Sequence, residues 1–157
     1  MQFQLPSPEA LSKTFTSLLG RQVTAKRAAA PSAAKNPVVA VYSTAASPAA
    51  VVCLVDLPLA CSLGAALSMI PAPVASQSAK AGSVAANLLE NLTEVMNVAA
   101  GLLNTGGQVR LALSQVIPPG KPLPPEATAL RARPAGRADF DVAIAGYEAG
   151  GLAVLVG

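Results

Sequence analysis

The chain has 157 residues, of which 52% are hydrophobic and 12% charged, with a formal net charge of +3. This length and apolar fraction predict one globular domain over residues 1–157, with a buried core, and exclude a disordered chain. Aromatic residues make up only 3% of the chain and the basic residues are dispersed along it. Stacking platforms and a dense basic patch are therefore missing, which argues against nucleic-acid binding.

The residue types that most often bind metals are scarce. The chain has no His, which is the commonest metal ligand and general base. Its two cysteines, Cys53 and Cys61, stand in apolar surroundings without the further ligands of a zinc site. We expect two small buried thiols that are not bridged to each other, no metal site and no cofactor of the protein's own.

The start of the chain predicts a cytoplasmic protein. It lacks a basic region followed by an unbroken apolar segment, which a secretory signal has. No stretch reaches the roughly 18 uninterrupted apolar residues of a spanning helix. We therefore expect no contact with a membrane, and a reducing compartment suits two free thiols.

Helix and hairpin signals alternate in the first half of the chain. Ser7, Pro8 and Glu9 supply an N-cap, a first-turn proline and a first-turn acid, and Gly20 offers a C-terminal stop. Further on, two runs rich in β-branched residues flank a short turn, which is typical of a hairpin in the interior of a sheet. The predicted elements are a helix over residues 8–19, a strand over 22–26, a loop over 28–36, hairpin strands over 37–43 and 49–55, and a helix over 58–70.

The second half begins with a long helix and continues as predicted strands. Thr105, Gly106 and Gly107 indicate a sharp stop for the helix, and a proline-rich loop separates the first strand from the rest. The predicted elements are a helix over residues 83–104, a strand over 109–114, a loop over 118–125, and strands over 128–133, 139–147 and 152–156 that form an antiparallel meander. This order favours an α+β fold in which long helices pack on an antiparallel β-sheet.

The long helix carries the one polar stripe with a chemically interesting composition. At about 100° per residue, one side of the helix carries Leu92, Val95, Met96, Ala99, Leu102 and Leu103. Glu90, Glu94, Asn97 and Gly101 fall on the other. Two acids, an amide and a missing side chain suggest a docking face, although the opposite face of an amphipathic helix is ordinarily just solvated.

The centre of this stripe resembles a known signature. From Glu94 to Asn97 the sequence reads EVMN, and it continues to Gly101 as VAAG. This Glu-x-x-Asn pair resembles the signature helix of the CheC/CheX/FliY-type chemotaxis phosphatases, although Glu90 stands where that pattern usually has Asp or Ser. The predicted hairpin, the helix over 58–70 and the terminal strands follow in the order of that family. The length and the single pair, which the helix over 58–70 does not repeat, are most similar to a single-site CheX-like domain.

The resemblance implies hydrolysis of the aspartyl phosphate on the receiver domain of a response regulator (CheY-like), in chemotaxis or related two-component signalling. Asn97 corresponds to the residue that holds the attacking water, and Glu94 to the acid that engages the receiver's active-site Lys. Glu90 and Gly101 would complete the docking surface. The Mg²⁺ ion of this chemistry is expected in the partner receiver domain.

Two other interpretations remain open at this point. A non-catalytic CheX-like docking or scaffold module, which binds a receiver or a flagellar or signalling partner, would need the same helix face without turnover. A purely structural domain that associates through its sheet edges is the third. The CheX-like resemblance, with apolar strands at residues 139–156 as edge material, also predicts a symmetric homodimer.

Overall fold

One antiparallel sheet organises the chain. The computed structural model describes residues 3–31, 35–104 and 109–157, and all elements and contacts below refer to these ranges. The helices are α1 (Pro8–Leu19), α2 (Leu57–Leu67), α3 (Ala72–Lys80), α4 (Ala86–Leu103) and α5 (Pro125–Ala132). The strands are β1 (Val23–Arg27), β2 (Val38–Ser43), β3 (Val51–Val55), β4 (Ala112–Ile117), β5 (Gly136–Ile144) and β6 (Gly150–Val156). In the described ranges no helix is both long and apolar enough to cross a membrane.

The sheet has the order β1-β5-β6-β3-β2-β4, and each neighbouring pair is antiparallel. The hairpin of β2 and β3 pairs Val38 with Val55 and lies inside the sheet, which confirms the prediction for this segment. The α+β fold class is likewise confirmed. The strands over 139–156 are interior as well, so the prediction that they supply edge material is wrong, and the edges are β1 and β4.

The element order repeats. A helix followed by three strands occurs as α1-β1-β2-β3 and again as α4-β4-β5-β6, with α2 and α3 between the two sets and α5 inserted between β4 and β5 of the second. The counterparts are β1 and β4, β2 and β5, and β3 and β6. Exchanging the members of each pair gives the same sheet order read from the other edge, so the sheet has a pseudo-twofold axis between β6 and β3. Helix α1, with the sequence PEALSKTFTSLL, is the counterpart of α4, and it contains no Asn. The Glu-x-x-Asn pair is therefore found in only one of the two related helices.

The central strands are buried on both faces. Val38, Ala40 and Tyr42 belong to a first core beneath α1 to α4, while Val39 and Val41 belong to a second core beneath α5. Side chains alternate across a strand, so two covered faces require an uninterrupted apolar run. This explains the Val-rich sequence of β2 and β3.

Helix α5 lies where the sequence predicts a strand over 128–133, and that prediction is wrong. Pro125 occupies the start of the helix and Glu126 its first turn, both of which favour helix initiation. Ala127 and Leu130, three residues apart, face the second core together. The β5–β6 hairpin of the predicted meander is present, but α5 takes the place of its first strand.

Other boundaries also differ from the predictions. Helix α3 has no predicted counterpart, because the sequence pattern assigns Pro71 and Pro73 to the end of the preceding helix, although proline is equally compatible with the first turn of a new one. Helix α4 accordingly begins at Ala86. Strand β4 is shifted toward the C-terminus relative to 109–114, because its pairing with β2 starts at Ala112. The predicted glycine stop at 105–107 and residues 32–34 of the predicted loop lie outside the described residues.

The cysteines are as predicted. Cys53 in β3 and Cys61 in α2 are both buried and free. Burial raises the pKa of both thiols, and that of Cys53 reaches about 12. Both side chains are therefore neutral at physiological pH and act as small apolar groups.

Gly64 allows α2 and α4 to pack closely, as its position in a predicted helix suggests. A Cβ atom placed there would collide with the carbonyl oxygen of Leu88 and lie 3.0 Å from its carbonyl carbon. We expect Gly64→Ala to lower the free energy of unfolding by about 1–3 kcal/mol, because one of the two helix backbones has to move. Urea denaturation at constant m-value measures this difference.

Gly101 in α4 provides a matched control for that substitution. A Cβ atom there meets nothing within 4 Å, so Gly101→Ala is expected to raise stability by about 0.5–1 kcal/mol through helix propensity. Equal stabilities of the two variants would contradict the close packing of α2 on α4.

Candidate functional site

The candidate site is on α4, which stands on the first core. Its inward side chains are Leu88, Leu92, Val95, Met96, Ala99, Ala100 and Leu103, all of them buried. They recur at helical spacing and fix the rotation of the helix about its axis. The side chains on the opposite side of α4 therefore point away from the core.

The four residues singled out in the sequence lie together on that outward side. Glu90, Glu94, Asn97 and Gly101 are all exposed in α4. Their spacings of four, three and four residues align them along one row of the helix surface. Their placement agrees with the predicted stripe, and their functional roles stay predictions.

Glu94 and Asn97 are available to another molecule. Residues three apart on a helix have Cβ atoms about 5–6 Å apart, so the carboxylate and the amide can reach a common group. Within the described part of the chain, neither side chain has a hydrogen-bond or ion-pair partner. Together they offer an anionic acceptor beside a group that both donates and accepts.

Tyr42 of β2 anchors the helix beneath this pair. Its hydroxyl donates a hydrogen bond of 2.6 Å to the backbone carbonyl of Met96, the residue before Asn97. Burial raises the pKa of Tyr42 well above its ordinary value, so the phenol keeps its proton. The sequence analysis missed this anchor, although a tyrosine in a buried aliphatic strand is itself a signal that its hydroxyl needs a partner.

Asn91 fixes α4 against α2. Its Nδ2 atom donates to the carbonyl of Gly64 at 2.9 Å and to the hydroxyl of Ser68 at 3.0 Å. This contact was also not predicted. The available signal was the position of Asn91 three residues after Leu88 and four before Val95, at the border of the core face.

An open groove separates α4 from α1 next to the stripe. It has a volume of about 400 Å³ and is lined by Lys13, Thr14, Ser17, Leu18 and Val98. The groove is not enclosed by the chain, so its surface is accessible to a macromolecule.

Two larger grooves lie elsewhere and contain none of the predicted site residues. In one of them, the carboxylate of Asp56 already accepts the backbone N–H groups of Leu59 at 3.0 Å and Gly151 at 2.7 Å. It thereby caps α2 and joins it to β6. Across residues 3–31, 35–104 and 109–157, no three acidic, Cys or His side chains are grouped so that they could hold a metal ion.

Comparison with known proteins relates the fold to two solved structures. No family model matches the chain and no curated protein matches it. Thermotoga maritima FliY matches with a TM-score of 0.55 and 13% identity, over 93% of this chain and 81% of that one. The FliM middle domain from H. pylori matches with a TM-score of 0.56 and 11% identity, over 95% and 84%. At these identities the likeness concerns the fold.

Proposed function

The chain has the CheC/CheX/FliY-type fold, and from this premise we propose that it hydrolyses the aspartyl phosphate of a response-regulator receiver domain. The observation that carries the proposal is the state of Glu94 and Asn97. Their Glu-x-x-Asn spacing resembles that of the phosphatase signature helix, they are exposed at the middle of α4, and nothing in the described chain occupies their polar atoms.

Asn97 positions the water. In the reaction, a bond forms between the water oxygen and phosphorus while the bond between phosphorus and the aspartyl oxygen breaks, which releases inorganic phosphate and a free carboxylate. This chemistry needs positioning and charge stabilisation more than a covalent group on the enzyme. An amide suits the task, because its oxygen accepts a hydrogen bond from the water and its NH₂ group donates one. The anchor from Tyr42 to Met96 holds the helix turn on which this amide stands.

Glu94 holds the partner. An exposed carboxylate accepts a charge-assisted hydrogen bond from an ammonium group, worth about 1.5–3 kcal/mol. In the proposed complex that ammonium is the receiver's active-site Lys, and the Mg²⁺ ion belongs to the receiver. Glu90 extends the acidic row by one turn, and Gly101 leaves room for close approach of the partner surface.

The direct test follows the decay of phosphorylated receiver domains. A panel of receivers is phosphorylated with acetyl phosphate, the donor is removed, and the phosphorylated fraction is measured with and without a small molar share of this protein. Faster decay of at least one receiver over many turnovers is the expected result. Unchanged decay of a receiver that nevertheless binds would favour the non-catalytic docking or scaffold module, which uses the same exposed face.

We also propose a symmetric homodimer, formed through a sheet edge. The unpaired edges of the described sheet are β1 and β4, and β4 is mostly exposed or half-buried along its length. Such an edge offers free N–H and C=O groups to a second copy. Sedimentation equilibrium is expected to give twice the chain mass, and a monomer across the whole concentration range would contradict the proposal.

A further inference from the structure

Two exposed apolar side chains lie beside the polar stripe. Among the described residues, the large hydrophobic side chains with the greatest exposure are those of Met69 at 77%, Val74 at 41%, and Val98 and Val109 at 37% each. Exposed apolar side chains are ordinary when they are scattered, but a cluster beside a functional face indicates a contact surface. Val98 is one helical turn after Glu94 on α4, and Met69 follows Ser68, which contacts the same helix at Asn91.

Contacts of Asn91 place the end of α2 against α4. The Asn91 side chain donates to the hydroxyl of Ser68, and Met69 is the next residue in the chain. Met69 therefore directly follows a residue that contacts α4 three residues before Glu94.

The backbone of Met69 is unusual for this residue type. Its φ is +55°, in the left-handed region, and the N–H of Ile70 bonds back to the carbonyl of Ala65 at 2.9 Å. This is the position after a helix end where Gly or Asn is normally found. Methionine there lowers stability relative to those residues and buries little of its side chain, so folding of the isolated chain does not account for it.

Val98 continues the same flank. It lies seven residues after Asn91, which is two helical turns, and Glu94 lies between them. Its side chain borders the groove to α1 together with Leu18 and Lys13. We define Met69 and Val98 as the apolar flank of the site.

Resting on the proposed function, we propose that the apolar flank is the docking contact for the receiver domain whose phosphoaspartate meets Glu94 and Asn97. Val98 lies one helical turn after Glu94, and Met69 follows the residue that contacts Asn91, three residues before Glu94, so a protein domain seated on Glu94 can reach both. The side chains of Glu94 and Asn97 exchange hydrogen bonds with water for hydrogen bonds with the partner, which adds little net binding free energy. Tight binding therefore needs an apolar contact from which water is excluded. Methionine is enriched at such centres because its flexible thioether adapts to the opposing surface.

The test uses Met69→Asn and Val98→Ser with a panel of receiver domains, each loaded with beryllofluoride as the phosphoryl mimic. Asparagine tolerates the left-handed backbone, so Met69→Asn is expected to keep or raise the midpoint of urea unfolding. The dissociation constant is expected to rise about tenfold for each variant. On the phosphorylated receiver, KM should rise by the same factor while kcat stays unchanged.

Val109→Ser is the matched control. Val109 has the same 37% exposure as Val98 but lies beyond the C-terminal end of α4. We expect its dissociation constant and KM to equal those of the wild type. A combined loss of stability and binding in Met69→Asn would indicate a structural role and would contradict the proposal.

The outcomes separate this inference from the proposed function. If the wild type accelerates decay of the phosphorylated receiver and both flank variants keep the wild-type KM, the docking role of the apolar flank is wrong and the phosphatase assignment stands. If the wild type binds a receiver without accelerating its dephosphorylation, and the flank variants bind that receiver more weakly, the docking role of the apolar flank is right and the catalytic assignment fails. Binding of no receiver overturns both, and conversion of a dimer to a monomer by Met69→Asn would assign the flank to self-association instead.

Discussion

Asn97→Ala is expected to reduce stimulated dephosphorylation by about 10²-fold or more while binding of the receiver changes little. The amide is proposed to hold the attacking water in line, and loss of a positioning group costs about this much in catalysis. The side chain is exposed and contributes no core packing, so the free energy of unfolding should stay near that of the wild type. Initial rates of decay at saturating receiver measure the effect.

Asn87→Ala is the control for this change. Asn87 is exposed in the first turns of the same helix, and it is seven residues before Glu94. The same atoms are removed from the same kind of environment, but away from the pair. Wild-type turnover is expected for Asn87→Ala, and full activity of Asn97→Ala on a receiver that the wild type dephosphorylates would disprove the water-positioning role.

Val95→Asp is expected to unfold the protein. Val95 is completely buried in the first core, and a carboxylate there has no partner and cannot keep its water. Typical domains are stable by only about 5–15 kcal/mol, and a buried unpaired charge removes about 4–5 kcal/mol or more. Burial raises the pKa of the introduced carboxyl, so the loss of stability is greatest well above that pKa and lessens as the pH falls through it.

Val98→Asp provides the matched comparison. It makes the same chemical change three residues later, at an exposed position of the same helix. Circular dichroism and urea unfolding are expected to show a folded protein close in stability to the wild type for Val98→Asp and a largely unfolded one for Val95→Asp. A cooperative transition of wild-type midpoint in Val95→Asp would contradict the assigned rotation of α4, and with it the outward direction of Asn97.

The expected contrast between these two substitutions reflects the different roles of the two faces of α4. The inward residues hold the helix on the sheet, and the tie from Tyr42 to Met96 together with the contact of Asn91 with α2 fixes its position. The side chains of the outward row, from Glu90 to Gly101, are therefore not needed to hold α4 in place. Loss of activity without loss of stability is expected for changes on that row or on the apolar flank, and not for changes among the inward residues.

The sequence by itself determined the elements whose signals are local. Helix α1 has its predicted bounds because Ser7 caps it and Gly20 adopts the left-handed conformation that ends it. The β2–β3 hairpin follows from two apolar runs around a short turn, and the face of α4 that carries Glu94 and Asn97 follows from helical periodicity. Each of these patterns is complete within a few neighbouring residues.

Only the tertiary structure decided the features that depend on distant partners. Residues 125–132 are a helix because the second core accepts Ala127 and Leu130 as a pair, and a run this short has no decisive period of its own. The interior position of β5 and β6 depends on which strands pair, which periodicity does not encode. The end of α2 meets α4 through a hydrogen bond between Ser68 and Asn91, which are 23 residues apart, and no local pattern specifies a contact at that separation.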